Sequence, residues 1–165
     1  MTAEKQRRLD ALYMDIARRV ASMSYGVRAQ VGATLVKGDR IISYGWNGTP
    51  SGDDNTCEEL VYPDDYDGQD GISGPPDKVL RTKPTVLHAE SNCLMKLAAV
   101  GGEGSEGATL YVTMSPCGEC AKLIKQARIA RVVYSELYGD TAGIDFLTTR
   151  DVIVEQHGVH PAQSV

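Results

Sequence analysis

Two short stretches constrain this chain more than anything else in it: His88-Ala89-Glu90 and, beginning 26 residues after Glu90, Pro116-Cys117-Gly118-Glu119-Cys120. One imidazole, two thiols three positions apart and a carboxylate beside the imidazole are what a catalytic zinc site requires. Zn²⁺ takes nitrogen and thiolate sulfur in a tetrahedron, and a catalytic site keeps three protein ligands so that water can hold the fourth place. Two thiolates and a neutral imidazole cancel the 2+ charge, while the ion still lowers the pKa of its water toward about 7. His88, Cys117 and Cys120 are therefore the predicted ligands of one zinc ion. Glu90 reads as a proton carrier beside the bound water rather than as a fourth ligand. Any fold available to the chain must bring these two segments to one point.

Their surroundings say how. Leu87 to Val100 is a predicted helix with Cys93, Leu94, Leu97 and Ala98 as its buried stripe and Gly101-Gly102 as its stop. Residues two apart point to different faces of a helix, so His88 and Glu90 can serve one water only at the helix entrance, where the geometry is not yet regular. Cys93 on the apolar stripe reads as an inert core thiol. Ala108 to Met114 alternates as a half-buried strand does. Ser115 is then expected to cap a helix with Pro116 in its first position, which puts Cys117 and Cys120 on one face of the opening turns. The partial positive charge of a helix N-terminus favours thiolate over thiol. A redox Cys-x-x-Cys is the rival reading, and it leaves the His-x-Glu upstream unexplained.

Elsewhere, Thr2 is expected to cap a helix with Leu9, Leu12, Tyr13, Ile16, Val20 and Met23 at three- and four-residue steps, ended by Gly26. Val31 to Val36 and Arg40 to Trp46 flank Lys37-Gly38-Asp39 as a hairpin. The cluster Asn47-Gly48-Thr49-Pro50-Ser51-Gly52 ends the second strand, either as a plain turn or as a loop whose glycines admit a ligand and whose Asn47 offers a donor and an acceptor. Asp53 to Thr85 has little periodicity and is expected to be a structureless, solvated insert. Arg131 to Glu136 is a further strand, and Thr141 to His157 a last helix closed by Gly158. The order is helix, two strands, helix, strand, helix, strand, helix, which implies a mixed sheet with helices packed on its faces.

At 165 residues the chain is expected to form one domain spanning 1–165, with the acidic insert at about 53–85. Met1 to Asp10 holds no apolar run of the kind a signal peptide needs, and no later stretch approaches membrane-spanning length, so a cytoplasmic location without membrane contact is expected. Residues 51–80 carry nine acids against one base, Lys78, while the other 135 residues are net +3. Neither part has the basic stripe with stacking aromatics that a long nucleic-acid strand demands, so a nucleic-acid polymer is not expected as partner. Cys57 has only His157 and His160 left as further soft donors, both far along the chain, and no second zinc is expected.

The pattern H-x-E…P-C-x-x-C is the signature of zinc nucleobase deaminases. With Arg28 to Gly32 (RAQVG), Gly45 to Gly52 (GWNGTPSG), His88 to Asn92 (HAESN), Ser115 to Cys120 (SPCGEC) and Arg131 to Tyr134 (RVVY), the chain resembles the cytidine deaminase superfamily and, within it, the deoxycytidylate (dCMP) deaminase branch. That resemblance implies an α/β fold of three α/β/α layers, a mixed sheet with helices on both faces. It implies zinc-dependent hydrolysis of dCMP to dUMP and ammonia, which supplies dUMP for thymidylate synthesis, with Glu90 catalytic. It also implies substrate contacts from Arg28, Asn47, Ala89, Ser115 and Tyr134, with Arg28 and Tyr134 near the phosphate. Gly45, Trp46, Asn47 and Gly48 would form an effector site for dCTP, an activator, and dTTP, an inhibitor, with Mg²⁺ beside the triphosphate. A homo-oligomer, a hexamer in related enzymes, follows from the same likeness. A deaminase of free nucleosides or of tRNA shares the motif, and a non-enzymatic zinc module is the more distant rival.

Overall fold

A computed structural model of the chain describes residues 1–64 and 76–158. Helix α1 (Ala3–Ala21) opens on Thr2, whose Oγ1 accepts the Lys5 N–H at 3.3 Å. It ends at Ala21 and not at Gly26: the chain tightens into turns there, with Met23 N–H donating to the Val20 carbonyl and Ser24 N–H to the Ala21 carbonyl, both at 3.0 Å, and Ser24 Oγ then donates to the Asn47 carbonyl and accepts the Gly26 N–H. Strands β1 (Gly32–Lys37) and β2 (Arg40–Trp46) form the expected hairpin. Gly38 (φ 54°) and Asp39 (φ 58°) both take the left-handed conformation that a two-residue turn of matching twist needs.

The insert is not structureless. Strands β3 (Glu58–Val61) and β4 (Val79–Thr82) pair antiparallel in register from Glu58–Thr82 to Val61–Val79. Four-residue strands about twenty residues apart leave no local period to read, and their pairing exists only once the chain has folded back. Residues 65–75 of the insert, like His160, lie outside the described residues.

Helix α2 (Ala89–Val100), strand β5 (Thr109–Met114), helix α3 (Gly118–Gln126) and strand β6 (Arg131–Glu136) follow close to expectation. The end of the chain does not. The region read as one helix from Thr141 to His157 is helix α4 (Ala142–Thr148) followed by a strand, β7 (Ile153–Gln156). Asp151 takes a left-handed turn (φ 60°), and Ile153 to Gln156, which opens on the β-branched pair Ile153-Val154, then joins the sheet edge parallel to β6.

The main sheet has the order β2-β1-β5-β6-β7, antiparallel across β2, β1 and β5 and parallel from β5 to β7. Both faces are covered, as the α/β/α reading requires. On one face Tyr13, Met14 and Ala17 of α1 pack on Val36, Tyr111 and Val133. On the other, Ala89, Cys93 and Leu94 of α2, Ala121 and Ile124 of α3 and Leu147 of α4 meet Ala33, Leu35, Leu110, Val112 and Val132. This second face carries the functional residues, at the carboxyl ends of the strands, where open α/β sheets bind ligands.

Candidate metal centre

His88 is the N-cap of α2, with extended backbone (φ −73°, ψ 157°), and Glu90 occupies the second helical position. The two-residue offset is thus resolved at the helix entrance, where cap and first turn aim differently. The entrance is fixed from β2. A Cβ on Gly45 would fall 2.5 Å from the Ala89 carbonyl oxygen and 2.4 Å from the Cys93 nitrogen, so only glycine lets the strand pass this close beneath α2. Leu87 and Gly48 exchange two backbone hydrogen bonds, of 2.9 and 3.1 Å, and Asn92 Nδ2 donates to the Trp46 carbonyl.

The second half-site begins two residues later than expected. Cys117, not Ser115, is the N-cap of α3, and Cys120 lies in its first turn. Ser115 is held instead by the end of β6: its N–H donates to the Glu136 carbonyl and its Oγ accepts the Tyr138 N–H, both at 2.8 Å. Pro116 is fully buried, and α4 presses on it, since a Cβ on Gly143 would fall 1.9 Å from the Pro116 carbonyl oxygen.

The halves converge. His88 Nδ1 lies 3.5 Å from Cys117 Sγ and 3.4 Å from Cys120 Sγ. Bonds of 2.0–2.1 Å to nitrogen and 2.3 Å to sulfur put N and S about 3.6 Å apart around a tetrahedral zinc ion. Little movement would be needed to admit one. Hydrogen bonds from Cys120 and His88 hold the Cys117 thiol down at about 3, while the same bond with Cys117, together with burial, pushes Cys120 far above the thiol range. The two sulfurs cannot both ionise side by side, a conflict that a divalent cation between them removes. The donor set therefore fits zinc. Glu90, only 4% exposed, is raised above the ordinary carboxylate value by burial, although its backbone and His88 pull the other way.

Beside these residues opens a cavity of about 420 Å³, lined by His88, Glu90 and Cys117 and also by Arg28, Asn47, Ala89 and Ser115. That volume falls in the range usual for small-molecule sites. Asn47 has both ends of its amide engaged, Oδ1 accepting the Val31 N–H at 2.8 Å and Nδ2 donating to the Ala29 carbonyl at 2.9 Å, so it shapes the wall. Tyr134 is not brought to the cavity; it is 8% exposed within the core, and Tyr138, which the sequence did not single out, lines the wall. Thr82, Val86 and Met114 also line it, without any motif to announce them. Of the loop assigned to effectors, Gly45 and Gly48 are taken up by packing and pairing, and the Trp46 ring lies under Lys96 Nζ at 3.8 Å.

The family model of the cytidine and deoxycytidylate deaminase zinc-binding region matches residues 7–136. Deoxycytidylate deaminase of Enterobacteria phage T4 is 32% identical over 155 residues, covering 76% of this chain and 76% of its own. Its human counterpart is 35% identical over 132 residues, covering 78% of this chain and 66% of its own. Among solved structures, dCMP deaminase from the cyanophage S-TIM5 in complex with dCMP and dUMP is 38% identical, with a TM-score of 0.75 over 94% of this chain and 98% of that one. A structure from a study of tRNA:A34 deaminases, 24% identical with a TM-score of 0.53, shares the fold alone. Both half-sites fall inside the matched span, and the chain belongs to the cytidine and deoxycytidylate deaminase family.

Proposed function

We propose that this chain hydrolyses dCMP to dUMP and ammonia. The placement of Glu90 carries the reading: a buried carboxylate beside three zinc-type donors, opening on a cavity that an arginine also lines. His88, Cys117 and Cys120 would hold zinc, which when bound supplies the Lewis acidity that makes water nucleophilic near neutral pH. Glu90 does the proton work. It takes one proton from the attacking water and gives it to N3 of the cytosine while the oxygen adds to C4. It then takes the second proton from that oxygen and gives it to the exocyclic nitrogen, the C4–N bond breaks, and ammonia leaves. Burial raises the Glu90 carboxyl above its ordinary value, so it holds an accepted proton more readily than an exposed carboxylate would. Arg28 has the fork geometry for the 5′-phosphate. Ala89, Ser115 and Asn47 frame the nucleoside, and Tyr134 acts from the core by packing.

Ammonia release from dCMP, CMP, deoxycytidine and dCTP, compared side by side, tests the reading. Fastest turnover of dCMP is expected, and equal turnover of deoxycytidine overturns the choice of substrate. The same reading includes activation by dCTP and inhibition by dTTP, with Mg²⁺, at the Gly45–Gly48 loop of a homo-oligomer; the sequence resemblance supports it. Hyperbolic dCMP kinetics unmoved by either triphosphate would refute that part.

A further inference from the structure

Arg28 lies between α1 and β1 in a segment that is neither helix nor strand, so nothing local aims its side chain. The β3–β4 hairpin supplies what the loop lacks. Glu58 and Thr82 stand opposite one another in that ladder. Glu58 Oε1 accepts the N–H groups of Val27 at 3.0 Å and of Arg28 at 3.2 Å, and Thr82 Oγ1 accepts from Arg28 Nη1 at 3.3 Å. One cross-strand pair thus grips both the root and the tip of the same arginine.

The grip is strong where it needs to be. Glu58 is buried, and bonds from N–H groups to a carboxylate are roughly twice as strong as those between neutral partners. Asn47 closes the loop from the opposite side through Ala29 and Val31. A carboxylate near an anion site would repel the ligand, but the Glu58 oxygen is turned onto two backbone donors. The guanidinium has five N–H groups, so one bond to Thr82 leaves a fork free to meet an anion in the cavity that Thr82 and Arg28 both line.

We infer that Glu58 and Thr82 are positioning residues that aim Arg28 and thereby set the preference for a 5′-phosphorylated nucleotide over the bare nucleoside. The inference rests on the dCMP reading. An aimed guanidinium helps only a substrate that carries the phosphate, so the two residues should alter dCMP and deoxycytidine kinetics unequally.

The test measures KM and kcat for both substrates in the zinc-loaded protein, with zinc content and melting temperature recorded for each variant. Glu58→Ala is expected to raise KM for dCMP roughly tenfold, with kcat and deoxycytidine turnover little changed. Thr82→Val keeps shape and removes the acceptor; it should raise the same KM a few-fold, and Thr82→Ser should restore it. If Glu58→Ala does not fold, the Thr82 pair decides the matter alone. Equal losses on both substrates, or a Thr82→Val protein indistinguishable from Thr82→Ser, overturn the inference while leaving dCMP as substrate. A parent that does not distinguish dCMP from deoxycytidine overturns the substrate reading itself, and the inference with it.

Discussion

Two sparsely exposed carboxylates at opposite ends of the sheet are treated in opposite ways. Asp10 sits where β6 begins. Burial acts to raise its pKa, but hydrogen bonds from Arg131, Tyr111 and Gln6 outweigh it and hold the carboxyl below its usual value. Arg131 meets both Asp10 oxygens at 2.8 Å and reaches Glu155 of β7 at 2.6 Å, which ties α1, β6 and β7 together. Glu90 sits where β5 ends, and there burial wins, leaving the carboxyl raised. A carboxylate whose partners hold it charged stabilises a fold and has little left for chemistry; one whose burial favours the proton can carry protons at a cost in stability.

The comparison breaks if Glu90 can be neutralised without consequence. Glu90→Gln should retain zinc and fold normally while turnover falls roughly a thousandfold; metal analysis, melting and ammonia release read the three together. Near-parental turnover would end the proton-carrier assignment. Asp10→Asn should do the reverse. It breaks a largely buried ion pair, and urea unfolding should show a loss of about 3 kcal/mol, with kcat per folded molecule unchanged.

A smaller effect sharpens the metal end. Gly143→Ala puts a Cβ against the Pro116 carbonyl and must shift the Cys117 half-site, so zinc retention against a competing chelator should weaken about tenfold while Glu90 stays in place. Smallest is the pH effect. Because the Asp10 pKa is depressed in the folded state, its contribution is fully present above the ordinary value of 3.8 and fades as pH falls through the lower folded value. The stability gap between parent and Asp10→Asn should therefore narrow below about pH 4, and a gap that widens in acid would contradict the pairing.

The zinc donors were legible because metal chemistry restricts residue type and spacing, and because cap and first turn are local structures that a few residues specify. Helix α1, the β1–β2 hairpin and strand β6 were readable for the same local reason. The rest depended on distant partners. Nothing near Glu58 marks it as the anchor of Arg28, since the donors that define its role lie some thirty residues earlier. Tyr134 matched a motif and went into the core, while Tyr138, just past the end of β6, reached the cavity. Ile153 to Gln156 became a strand because β6 offered an edge.

From sequence alone came the chemistry: which atoms could hold a metal, which carboxylate could carry protons, and which local elements present them. Tertiary structure decided where the half-sites meet, which polar groups are saturated, and which arginine is held in place. The division follows from range, because ligand identity and capping are settled within a few residues, whereas convergence, burial and hydrogen-bond saturation depend on segments that meet only after the chain has folded.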